Sequence, residues 1–185
     1  MPRNVSEPTE PHVSRKRSGK APSLARRRNA PRSLSAAKLD VDEYLLVYAR
    51  ATPVERIDAE RRGISGAFIK VLSKRMKLPA TRVFAILGIP RATAEKKAAT
   101  GELLVGSGGH AAMGMLRLLS IVSEMVANST AKEAEDFDAP EWLGRWIERP
   151  QASLGGRKPA DMLDTPTGVN TVVRLLKSIA SGSYQ

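Results

Sequence analysis

The chain has 185 residues, a net charge of +11, no Cys, and only two His, His12 and His110. These figures exclude disulfides, thiolate metal sites and Cys nucleophiles. They also leave too few imidazoles for a His-built metal centre or a Ser-His-Asp triad, so neither a metal site nor a cofactor is expected. Hydrophobic residues make up 42% and aromatics 4%, which supports a packed core built mainly from aliphatic side chains.

Charge is spread unevenly. Residues 1–39 hold ten Lys or Arg against two Glu, whereas residues 40–185 hold twenty against seventeen acids. The first segment is rich in Pro, Ser and Arg and has too little apolar surface to offset its ordering entropy, so a disordered basic tail is expected there. Arg15-Lys16-Arg17 and Arg26-Arg27-Arg28 could grip DNA phosphates loosely, and a solvated tail with no role fits equally well. The N-terminus lacks the apolar stretch of a secretory signal. No apolar run approaches the roughly 20 residues that span a bilayer, so the expected location is cytoplasmic, without membrane association.

From residue 40 the pattern is helical. Residues 41–51 form a first helix that stops before Pro53, which starts a second at 54–62, ended by Gly63. Ser65 is placed to cap a third, in which Phe68, Ile69, Leu72 and Met76 recur on one face. Pro79 opens a short helix carrying Val83, Phe84 and Leu87. Gly88-Ile89-Pro90 is a tight break, and residues 91–100 form a small polar helix ended by Gly101. Residues 106–109 read as a loop. Residues 111–127 form the most apolar helix, with Met115, Leu118, Leu119, Val122, Met125 and Val126 at helical spacing. A helix from 138 or 139 carries Trp142 and Trp146 and ends at Pro150. Trp142 and Trp146 share one face and are expected mainly to fill core. No stretch alternates with a period of two, so the fold is expected to be all-α.

Residues 79–99 read as helix, turn, helix. Gly88 supplies the positive φ of a sharp exit, Ile89 buries in the angle, and Pro90 pre-sets the second helix. That helix offers Arg91, Thr93, Lys96 and Lys97, the composition suited to base edges and phosphates of double-stranded DNA. An ordinary helical hairpin with a solvated basic face is the plainer alternative. A single such unit reads few bases, so a homodimer is expected, with helix 111–127 either its contact or plain core.

The last third is the most particular. Leu154-Gly155-Gly156-Arg157-Lys158-Pro159 calls for a turn with positive φ, then a short helix over 160–163. Asp164 or Thr165 caps a last helix, with Pro166 in its first position. Val169, Val172, Val173, Leu176 and Ile179 form its buried stripe, Arg174, Lys177 and Ser178 lie off that stripe, and Gly182 ends it. No phosphate-loop spacing and no motif of paired acid-base carboxylates stands anywhere in the chain.

Trp142-Leu143, Pro150, Leu154-Gly155-Gly156 with Pro159, Met162-Leu163 with Thr165 and Gly168, and Gly182 with Tyr184 together resemble antitoxins of the Xre/MbcA/ParS kind. Gly88-Ile89-Pro90 with Thr93 resembles the turn of Xre-type repressors, although Phe84 stands where that pattern usually holds a small Ala. Met162 replaces a common Leu, and Gly108-Gly109-His110-Ala111 stands where the family opens its middle helix with a polar and Arg pattern.

The resemblance implies an Xre-like helix-turn-helix domain at 40–127, after the tail at 1–39, and a small helical toxin-binding domain at 128–185. It implies an inhibitor and autorepressor, not an enzyme. The implied partners are a RES-domain toxin that consumes NAD and double-stranded operator DNA. The last helix and tail would occupy the toxin's NAD cleft through Arg174, Lys177, Ser178, Gly182, Ser183 and Tyr184. A stand-alone helix-turn-helix regulator with a C-terminal protein-interaction domain is the alternative.

Overall fold

The computed structural model describes residues 33–34, 39–129 and 137–181. Its helices begin where side chains can satisfy free backbone N–H groups. Asp40 caps α1 (Val41–Arg50) through a reciprocal box: its carboxylate accepts from Glu43 N–H at 2.8 Å, and Glu43 accepts from Asp40 N–H at 3.1 Å. Thr52 and Glu55 repeat the device on α2 (Pro53–Arg62), with Pro53 in the first turn. Gly63 then leaves the helix at φ +90°, as the sequence requires.

Residues Ile64–Ser65 (β1) pair antiparallel with Leu103–Leu104 (β2), a two-residue ladder in an otherwise all-α fold. The ladder changes the role expected of Ser65. The N-cap of α3 (Ala67–Arg75) is Gly66, and the buried Ser65 hydroxyl instead donates to Gly101 O at 3.3 Å and accepts from Ala67 N–H. Tyr44 meets Phe68 edge-on at 4.6 Å, and burial pushes its phenol pKa up to about 12, partly opposed by a hydrogen bond with Ser65.

α4 (Ala80–Ile86) and α5 (Arg91–Thr100) follow, with Gly101 left-handed at the exit. The next expectation fails. Residues 106–109, read as a loop, form the first turn of α6 (Gly106–Ala127). Their glycines serve close packing rather than a turn: a Cβ on Gly108 would lie 2.7 Å from the Ile89 side chain, and one on Gly109 would lie 2.6 Å from the Leu104 carbonyl. The extension makes α6 22 residues long, enough by length and composition alone to cross a membrane, although its burial is that of a core helix. Ala112, Leu116, Leu118 and Leu119 are fully buried, the pattern of a core helix, so the face considered for a dimer contact is already occupied within the fold.

α6 packs most extensively against α8 (Pro166–Ala180), and also against α1 and α7 (Ala139–Ile147). One continuous core therefore joins residues from both expected segments, 40–127 and 128–185. Leu34 and Leu39 belong to it as well, although both lie in the stretch expected to be a disordered tail. The remainder of that stretch lies outside the described residues.

In the last third, Asp138 caps α7, and its Gly144 lies against the Met76 backbone. Trp146 is buried and Trp142 half-buried, their rings stacked at 5.8 Å. Gly155 and Gly156 both adopt positive φ, closing a hairpin in which Gln151 N–H donates to Arg157 O at 3.0 Å. A 3-10 turn, Pro159–Met162, leads to Thr165, whose hydroxyl accepts from Gly168 N–H at 3.1 Å and caps α8.

Candidate functional site

α8 divides cleanly along its length. Val172, Val173, Leu175 and Leu176 bury into the core, and Ile179, expected to join them, is only partly covered. Thr167, Asn170, Arg174 and Lys177 follow helical spacing on the opposite, exposed face. Neither the Arg174 nor the Lys177 side chain has an ion pair or hydrogen-bond partner among the described residues. Ser178 is half-buried, and its hydroxyl donates back to Leu175 O at 2.8 Å, so it is less available than the two cations. Gly182, Ser183 and Tyr184 lie outside the described residues.

A cavity of about 340 Å³ opens beside this face. Tyr48, Glu60, His110 and Arg117 line it together with Asn170. Arg117 Nη1 donates to Asn170 Oδ1 at 3.1 Å, tying the exposed stripe of α8 to α6. The polar edge of α8 is thus held on a rigid support rather than on a loop.

The helix-turn-helix has the local geometry its residues demand. Gly88 takes φ +62°, Ile89 is buried with its N–H donating to Phe84 O at 3.0 Å, and Pro90 precedes α5. Arg91, Thr93 and Lys96 reach solvent along α5. Arg91 Nε pairs with Glu95 at 2.7 Å, and Lys96 Nζ lies 3.5 Å from Glu102. Lys97 is half-buried, and its ammonium turns back to the Leu103 carbonyl. The structure therefore gathers Arg91, Thr93 and Lys96 on exposed helix surface and engages Lys97 within the fold.

Two features went unread in the sequence. The first is an ion cluster that joins the helix-turn-helix to the last third. Arg82, on α4, donates through two nitrogens to Glu148 at the end of α7 and to Asp161 at 3.0 Å, and Lys158 Nζ lies 3.4 Å from Glu148. The Arg82 guanidinium, with help from Lys158, holds the Glu148 carboxyl below its usual range against the opposing effect of burial. Arg82 and Glu148 stand 66 positions apart, so no local pattern announces the pair.

The second feature is electrostatic. Residues 63–94 contain Lys70, Lys74, Arg75, Lys77, Arg82 and Arg91 and not one Asp or Glu. This stretch spans α3, α4 and the start of α5, and its six positive charges exceed the net +3 of residues 40–185. A running charge count would have found it.

Residues 135–182 match the family described as the antitoxin Xre/MbcA/ParS C-terminal toxin-binding domain. That match takes in α7, the Gly155-Gly156 hairpin, the 3-10 turn at Pro159–Met162 and α8. The chain is also 35% identical over 135 residues to a protein of Sphingobium sp. (strain YBL2) named Prs ADP-ribosylating antitoxin, covering 73% of this chain and 84% of that protein.

Proposed function

Because the chain belongs to the Xre/MbcA/ParS antitoxins, which bind and neutralise toxins and are not themselves enzymes, we propose that its partner is a RES-domain toxin that consumes NAD. On this reading the exposed face of α8 and the residues after it enter the toxin's active-site cleft. The observation that carries the proposal is the pair Arg174 and Lys177, whose side chains have no partner among the described residues, on a helix whose other face is fixed in the core. A cleft shaped for a dinucleotide accommodates a flat base and riboses, which the ring of Tyr184, further along the sequence, suits, and the two cations are available to acidic groups of the toxin.

The second part of the proposal is repression of its own operon. α5 would enter the major groove of double-stranded operator DNA, with Arg91 and Thr93 toward base edges and Lys96 toward phosphate. Lys97, engaged with Leu103, would then support the helix end more than it touches DNA. Two copies are required for useful specificity, so the DNA-binding species is a homodimer whose contact lies on a surface other than the buried face of α6.

The test is co-expression with the product of the neighbouring gene, followed by co-purification and measurement of NAD. The proposal expects a complex that spares NAD, and expects deletion of residues 182–185 to release NAD loss while DNA binding persists. A truncated protein that still blocks NAD loss completely would overturn the cleft reading. Light scattering that finds a monomer at every concentration would remove the dimer.

A further inference from the structure

The field of this protein and its expected reading head do not coincide. On α5 the cations are answered from within the chain: Arg91 by Glu95, Lys96 by Glu102, Lys97 by the Leu103 carbonyl. On α3 they are not. Lys70 and Lys74 lie four residues apart on the face opposite the buried Phe68, Ile69, Leu72 and Met76, and Lys77 follows just past the helix end. All three are exposed, and none of their side chains has an ion pair or hydrogen bond among the described residues. Their neighbour Arg75 takes the nearby acids instead, lying 3.7 Å from Asp42 and 3.8 Å from Asp138.

We propose that Lys70, Lys74 and Lys77 form a clamp on the phosphate backbone of double-stranded DNA, beside the helix-turn-helix. The inference rests on the DNA-binding reading and assigns its electrostatic part to α3. Placement supports it at both ends of that helix. Gly66, at the start of α3, lies so close to α5 that a Cβ there would meet the Lys97 carbonyl at 2.4 Å. Lys77, at the other end, stands two residues before Pro79, the N-cap of α4. The helix that carries Lys70 and Lys74 thus packs against both helices of the motif.

Spacing fits as well. Lys70 and Lys74 rise about 6 Å along α3, close to the rise of about two phosphates along one strand of B-DNA, and Lys77 lies just beyond the helix end. Lys77 is also the one non-glycine residue at positive φ (+54°) among the described residues. That conformation costs a side-chain-bearing residue roughly 1–2 kcal/mol, so a turn selected for stability alone would hold Gly or Asn. Here a cation occupies it. Phosphate contacts of this kind position a protein without reading sequence, which leaves base discrimination to Arg91 and Thr93.

The experiment compares the full chain with its Lys70→Gln/Lys74→Gln/Lys77→Gln variant by fluorescence anisotropy on a mixed-sequence DNA duplex over a range of salt. The basic N-terminal segment is present in both proteins and cancels in the comparison. Each phosphate released removes about 0.9 from the slope of log affinity against log salt, so the triple variant should be shallower by about 2.7. Weakening should be equal on unrelated sequences. Should the triple variant melt early by circular dichroism, Lys74→Gln alone serves, with an expected change of about 0.9. An unchanged slope would overturn the clamp, as would charge loss that affects binding only to phosphatidylserine vesicles. If the slope is unchanged while Arg91→Ala still loses specific binding, the clamp alone falls. If the wild-type protein ignores duplex DNA at low salt, the DNA-binding reading falls with it.

Discussion

Replacing Arg82 with Met should destabilise the fold by about 1–2 kcal/mol at neutral pH. The guanidinium joins α4 to Glu148 and Asp161, and Met keeps the apolar stem while deleting the charge. The size follows from exposure. The Arg82 side chain is 33% exposed and that of Glu148 24%, between two limits. Exposed pairs contribute about 0–1 kcal/mol, and removing one partner of a fully buried pair costs about 3–5 kcal/mol. Lys158, 3.4 Å from Glu148, softens the loss.

The pH dependence gives the prediction its sign. Glu148 is lowered in the folded protein from the usual 4.5, chiefly by its hydrogen bonds with Arg82. Its contribution is therefore complete above 4.5 and fades as pH falls through the lower folded value. The difference between wild type and variant should be constant from neutral pH down to about 5, then shrink below the glutamate range. Urea unfolding at several pH values measures it, with an unchanged m-value confirming that stability alone has moved. A loss below about 0.3 kcal/mol, or one that persists undiminished in acid, would refute the reasoning and assign the role of Arg82 to packing.

Three further outcomes are expected. Gly144→Ala places a methyl 2.2 Å from the Met76 carbonyl oxygen, backbone that cannot turn aside, and should cost about 1–3 kcal/mol in urea unfolding. Asp40→Ala removes one half of a reciprocal cap and should cost about 1 kcal/mol, read as a fall in Tm. Arg91→Ala and Thr93→Ala should each weaken operator binding by about 1–3 kcal/mol per lost base contact while leaving random DNA little affected; equal losses on both would make them phosphate contacts.

The sequence announced its turns and caps well because their chemistry is local. Pro53, Gly63, Gly88, Gly101, Thr165 and the Gly155-Gly156 pair each sit where a fixed φ or a side-chain acceptor is needed. The same local rule misled at residues 106–109. Glycine there serves close approach of α6 to Ile89 and Leu104, a tertiary demand that composition alone reads as a loop. Leu34 and Leu39 were hidden for a related reason, being isolated apolar residues in a polar stretch that acquire meaning only when a core exists to receive them.

The candidate site divides the same way. The polar stripe of α8 was legible because it is the complement of a 3.6-residue apolar pattern. The Arg82 cluster was not, since its members meet only after folding. Lys97 shows the limit from the other side. Its residue type suits a phosphate, yet its ammonium is claimed by a carbonyl six positions on.

The central claim is that the exposed face of α8 stoppers the toxin. Its most direct measurement is NAD turnover by the neighbouring gene product, titrated with wild-type protein and with Arg174→Glu/Lys177→Glu. Both changes lie on exposed helix surface and should leave the melting curve in place. The account predicts that wild type silences NAD loss at stoichiometric amounts while the reversed-charge variant, still folded, leaves it running. Equal inhibition by the two proteins would contradict it.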